Sequence, residues 1–87
     1  MLFLQSEKFI LFMLITIADL RKGEKAIIRN FVTKNIPLKL IEMGCIEGNS
    51  VELVQRAPLK DPLYLNINGT HLAIRKDIAA QINVEKI

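Results

Sequence analysis

Apolar and polar residues alternate most regularly on either side of an Asn-Gly pair in the last third of the chain. Residues 63–67 read Leu-Tyr-Leu-Asn-Ile, residues 70–74 read Thr-His-Leu-Ala-Ile, and Asn68-Gly69 joins them. A period of two marks a half-buried strand, and Asn-Gly accepts the two positive φ values of a type I′ turn, whose twist matches that of the flanking strands. A two-residue loop also fixes the register. It sets Ile67 opposite Thr70, Asn66 opposite His71, Leu65 opposite Leu72, Tyr64 opposite Ala73 and Leu63 opposite Ile74. Directly opposed residues share a face. Leu63, Leu65, Ile67, Leu72 and Ile74 therefore form the core side of a hairpin, and Tyr64, Asn66 and His71 the outer side.

The same pattern extends upstream. Residues 51–57 are rich in β-branched side chains and partly alternating, and they end at Pro58 and at Lys60-Asp61-Pro62. Neither proline can donate to a ladder, so one strand stops here and the next begins. Residues 37–43 predict a two-turn helix with Pro37 as its first residue and Asn35 as a cap. Leu38, Leu40, Ile41 and Met43 form its apolar side, and Gly44 suits a left-handed terminus. At this length it is stable only when packed on something else. Residues 26–32 predict an earlier strand with broken alternation, as expected where a small barrel bends. A helical turn over 18–24 precedes it, and a polar loop over 33–36 follows. Asp77 is placed to cap one turn of helix through Gln81, and residues 83–87 to supply a last strand that closes the sheet, with Val84 inward and Glu85 outward.

Composition narrows the picture. A chain of 87 residues is one domain that buries only about 60–65% of its unfolded surface. A mostly β barrel of about five strands with short helices fits that size. The 12 Lys and Arg against 9 Asp and Glu are dispersed, giving a formal charge of +3. Such a balance steers weakly toward acidic surfaces. It lacks the interleaving of cations with stacking aromatics that single-stranded nucleic acids require, so nucleic acid is not expected as a partner.

The first 17 residues differ from the rest. Twelve are apolar, and three of the four phenylalanines lie among them. The longest uncharged run, residues 9–18, is ten residues, whereas a membrane-spanning helix needs about 20. The features of a secretory signal peptide are also poor. Three readings stay open for residues 1–16: an extension ahead of a true start at Met13, a segment that docks on the domain or on a second copy, and a membrane-surface anchor. The second of these makes the extension a candidate joint for a homo-oligomer. Residues 17–87 form the domain itself.

Little in the sequence supports chemistry. Tight binding of zinc or ferrous iron needs three or four converging ligands, and the soft or borderline donors are Cys45, His71 and three methionines. Cys45 follows the helix-ending glycine, where a buried apolar thiol is the plain expectation, and His71 stands on the outer face of the hairpin. A metal on either residue would be adventitious or intermolecular. One histidine and one cysteine on separate segments make no nucleophile–base pair. A phosphate-cradling motif is absent as well, so no catalytic residue is assigned and the chain reads as a non-enzyme.

Binding is what remains. The helix carries more apolar residues than one face can bury, leaving Leu40 or Met43 partly open beside Lys39 as a docking surface. Leu59, at the tip between two prolines, is a second candidate, held outward with little entropy left to lose.

The run from Pro37 to Gly48 (PLKLIEMGCIEG), followed by Val51-Glu52-Leu53-Val54, Ala57-Pro58-Leu59-Lys60-Asp61-Pro62, Asn68-Gly69 and Leu72-Ala73-Ile74-Arg75-Lys76, resembles the ferrous iron transport protein A (FeoA) family. So does Ala18-Asp19-Leu20-Arg21-Lys22-Gly23-Glu24, and the resemblance covers residues 17–87. It implies an SH3-like barrel in the cytoplasm that binds and modulates a membrane ferrous iron transporter carrying a GTPase domain. No cofactor is required on this reading, and any Fe2+ or Zn2+ binding would be weak. Metal-dependent repressors of the diphtheria toxin repressor type carry a similar barrel, so a regulatory module in transcription is the alternative. A self-associating adaptor is a third.

Overall fold

The computed structural model describes residues 14–32 and 34–87. The expectations for residues 1–13, including the start at Met13, and for Thr33 lie outside them. Among the described residues, six strands make one antiparallel sheet: β1 (Leu14–Thr16), β2 (Lys25–Phe31), β3 (Ser50–Arg56), β4 (Leu63–Ile67), β5 (Thr70–Ile74) and β6 (Ile82–Lys86), in the order β1-β6-β2-β3-β4-β5. Two short helices, α1 (Leu38–Glu42) and α2 (Lys76–Ala79), and a 3-10 turn at Ile17–Asp19 complete it.

The hairpin has the register that its turn dictates, from Ile67 opposite Thr70 to Leu63 opposite Ile74. Asn68 and Gly69 take φ of 51° and 91°, the two positive values of the turn. Leu63, Leu65, Ile67 and Ile74 are buried and Leu72 is half-buried, while Tyr64 and His71 are exposed. The broken alternation of β2 and β3 has a cause in the ladders: a bulge falls between Ile28 and Asn30 against β6, and another between Leu53 and Gln55 against β4. Each extra residue bends its strand.

Three expectations need correction. The strands number six because residues 14–16, inside a stretch too uniformly apolar to show alternation, pair with β6. The last strand does not close the sheet. It is inserted between β1 and β2, and among the described residues β1 and β5 remain as the two edges. The helix caps are shifted too. Pro37 has an extended ψ of 132° and occupies the cap position, so α1 starts at Leu38; a missing N–H costs nothing at either site, and the residue type alone does not choose. Asp77 lies inside the first turn of α2, accepting from its neighbour Ile78 at 3.0 Å. The Lys76 N–H at the start of α2 instead donates to Oδ1 of Asp61, 15 residues earlier, at 2.9 Å.

The core is wholly apolar among the described residues. Ile17, Leu20, Ile28, Leu53, Leu63, Leu65, Ile67, Ile82 and Val84 are its largest members, joined by Cys45 and Val51. Polar groups tie its rim. The Arg56 guanidinium reaches from β3 to donate to the carbonyls of Ala18 (2.6 Å) and Leu20 (2.8 Å), fixing the 3-10 turn over the sheet. Arg29 and Glu85 pair across β2 and β6 at 3.1 Å. Glu24 holds Lys86 and accepts from the Arg21 N–H, which pins the end of β6 to the start of β2.

Candidate functional site

Helix α1 is five residues long and none of them is buried. Its sequence would be unstable alone, so its anchor lies at its end. Gly44 takes φ of 105°, open to glycine and costly for other residues. That turn lets the Gly44 carbonyl accept from Asn49 Nδ2 at 2.7 Å and sends Cys45 into the core at 1% exposure. The helix is thereby laid against the open side of the sheet with apolar residues on both flanks.

On one flank, a groove of about 440 Å³ runs between α1, β5 and α2. Pro37, Lys39, Leu40 and Met43 line it from the helix side, and Leu72, Ala73, Ile74, Arg75 and Ile78 from the sheet side. Lys39, Leu40 and Met43, singled out from the sequence, are brought together here. Leu40 and Met43 are half-buried and Lys39 is exposed. Lys39 and Arg75 are the ionisable side chains of the lining, so the groove has an apolar floor and a positive rim. On the other flank, Ile41 faces a cleft of about 560 Å³ with Phe31, Val32 and Ile36, bordered by Arg29, Lys34 and Glu47.

Leu59 is separate from both. It is 90% exposed at the β3–β4 tip, where Lys60 has φ of 68° and its N–H donates to the Ala57 carbonyl at 2.7 Å. The Asp61–Lys76 hydrogen bond ties this turn to the start of α2, next to Arg75.

Sequence reasoning missed Leu38, which is 68% exposed, and the part played by β5 and α2. A surplus of apolar residues on α1 was visible, but which of them stay open depends on how the helix rolls on the sheet. Parity places Leu72 on the core side, and as an edge residue it borders the groove as well.

Cys45 and His71 do not form a site together. Cys45 is buried in the core cluster, and burial pushes its thiol up to about 11, so it is protonated at neutral pH. His71 is exposed on β5. Among the described residues no three His, Cys, Asp or Glu side chains gather to hold a metal ion. Nor is any helix of the described residues long and apolar enough to cross a membrane.

Comparison with known proteins bears on the fold and on the family. Residues 15–86 match the model of the FeoA domain. The chain is 35% identical over 72 residues to an Fe(2+) transport protein A/Fe(2+) transporter FeoB fusion protein of Porphyromonas gingivalis, a match over 82% of this chain and 8% of that much longer protein. It is also similar to the solution structure of iron(II) transport protein A from Clostridium thermocellum, with a TM-score of 0.77 and 32% identity over 84% of this chain and 46% of the other. A third similarity, with a TM-score of 0.69 and 25% identity, covers 82% of this chain and 89% of Stenotrophomonas maltophilia FeoA, a prokaryotic SH3 domain protein crystallised with zinc.

Proposed function

The chain belongs to the FeoA family, and from that premise we propose that it is a cytoplasmic accessory protein of ferrous iron uptake. It binds the soluble part of a membrane ferrous iron transporter with a GTPase domain and modulates transport, without catalysing a reaction itself. The observation that carries this reading is the Porphyromonas gingivalis relative, in which a segment similar to this chain and an Fe(2+) transporter are one fusion protein. Joining two modules raises their effective concentration to about the millimolar range, which favours contact between modules that work together.

The groove between α1 and β5 is the docking surface on this reading, because it combines half-buried apolar side chains with a charged rim, as the centre and edge of an interface do. Leu59 supplies a second contact. Iron is the transporter's cargo here and not a resident group of this chain. The zinc of the Stenotrophomonas maltophilia protein is compatible with weak metal binding, for which Cys45 and His71 make no common site. The apolar segment 1–16, of which 14–16 already pair with β6 as β1, is a candidate joint for self-association.

The test is capture of the detergent-solubilised transporter from the same organism by the immobilised chain. Wild type is expected to retain it, and Leu40→Asp or Leu59→Asp to retain at least tenfold less. Full capture by both variants would leave these surfaces without a role, and failure of the wild type would remove the partnership. Light scattering of the full chain against one beginning at Met13 tests the joint, which an unchanged mass eliminates.

A further inference from the structure

Strand β5 is an edge of the sheet among the described residues. In a hairpin closed by a two-residue turn, Ile67 and Thr70 exchange hydrogen bonds and the pattern alternates from there. Thr70, Leu72 and Ile74 thus turn their backbone groups to β4, while His71 and Ala73 turn theirs outward. Among the described residues, no backbone hydrogen bond outside the hairpin reaches either residue. Proteins usually guard such an edge with a charge, a proline, a bulge or a covering element. Thr-His-Leu-Ala-Ile contains no proline or acidic residue and no lysine or arginine, and its register with β4 is unbroken.

Both sides of this edge are hollow. The groove toward α1 presents Leu40, Met43 and Ile78, and a cleft of about 310 Å³ on the other side is lined by Val54, Tyr64 and His71. A strand laid along β5 would pair with the free N–H and C=O groups of His71 and Ala73 and send alternate side chains into the two hollows. The charge of the rim selects the occupant. Lys39 makes no ion pair among the described residues, Arg75 meets Asp77 only at 3.6 Å with both side chains mostly exposed, and no acidic residue lines the groove. A second copy pairing through its own β5 would bring another Lys39 and Arg75 to the same rim, with no acidic residue in the lining of either groove to meet them.

We infer that the β5 edge receives an extended segment of the transporter's soluble part by strand addition, a segment with apolar residues at alternate positions and an Asp or Glu over Lys39 and Arg75. This rests on the accessory role proposed above and specifies how the contact is made.

The experiment is amide hydrogen exchange on the 15N-labelled full chain, alone and with the detergent-solubilised transporter. Exchange at the His71 and Ala73 amides is expected to slow at least tenfold when the transporter is added. The charge reversals Lys39→Glu and Arg75→Glu, both at exposed positions, are expected to weaken capture at least tenfold together. Ala73→Pro, which removes an outward N–H that no backbone group of the described residues pairs, is expected to do the same. Capture that leaves both amides fast overturns strand addition while the accessory role stands. No capture by wild type removes both. Slow exchange at these amides that grows with protein concentration in the absence of transporter assigns the edge to a second copy and overturns the inference.

Discussion

At the scale of single residues, position in the fold decides chemistry more than residue type does. Cys45 is the one thiol of the chain, and desolvation in the core raises its pKa to about 11. The sign follows from linkage: the folded state keeps the thiol proton longer than the unfolded chain does, so the contribution to stability is whole below about pH 9 and is lost as pH rises toward 11. A denaturation series from pH 7 to 11 should show that decline in wild type and a smaller one in Cys45→Ala. The native thiol should also resist a disulfide reagent at pH 8 until the protein is unfolded; immediate stoichiometric reaction would contradict its burial. This burial was legible from the neighbours, since Gly44 and Ile46 place the side chain on the inward side of a helix end. The cost of the turn itself sits in the backbone. A Cβ on Gly44 would meet Ile67 Cγ2 at an ordinary 3.6 Å, yet φ of 105° disfavours it, so Gly44→Ala should lose about 1–2 kcal/mol in urea unfolding.

Whole elements were readable where one local rule was sufficient. The hairpin is the clearest example, because a two-residue Asn-Gly loop leaves its strands a single register and parity does the rest. The helices were less so. Which residue of Pro37-Leu38 begins α1, and which acid serves α2, depend on contacts made across the fold, such as that of Asp61 with Lys76. The elements also differ in what they contribute. Leu38→Ser on α1 should change stability by less than about 0.5 kcal/mol, since the side chain is already in water. Leu53→Ala on β3 should cost about 2–5 kcal/mol, because that side chain is fully buried. The clip between β2 and β6 adds a dependence on pH. The hydrogen bond from Lys86, helped by that from the Arg21 N–H, holds the Glu24 carboxyl below its ordinary 4.5. Stability from this group is therefore present above about pH 4.5 and lost as pH falls through the lowered value. Melting curves between pH 3 and 7 should show Lys86→Ala less stable than wild type at neutrality and converging with it in acid.

For the molecule as a whole, the small mostly β class was legible from length, turn spacing and the even scatter of charge. The sixth strand and the place of the last one were not. A three-residue strand in an apolar stretch has no period to detect, and a strand's neighbours are set by the sheet and not by its own residues. The apolar core and scattered donors also bear on metals: adding ferrous iron or zinc should leave the melting temperature nearly unchanged, whereas a rise that grows with concentration would reveal a true site. The position of β6 has a further consequence for how the protein comes into being. The last of the described strands in chain order is the one that joins the first two, through ladders to β1 and β2 and through Ile82 and Val84 in the interior. Until it emerges, the nascent chain holds two early strands with nothing between them, and burial worth about 1.5–3 kcal/mol for each of those two side chains is unavailable. Seating of β1 must therefore wait for β6, and a chain truncated after Gln81 keeps the β2-β3-β4-β5 ladders but leaves β1 without its partner strand.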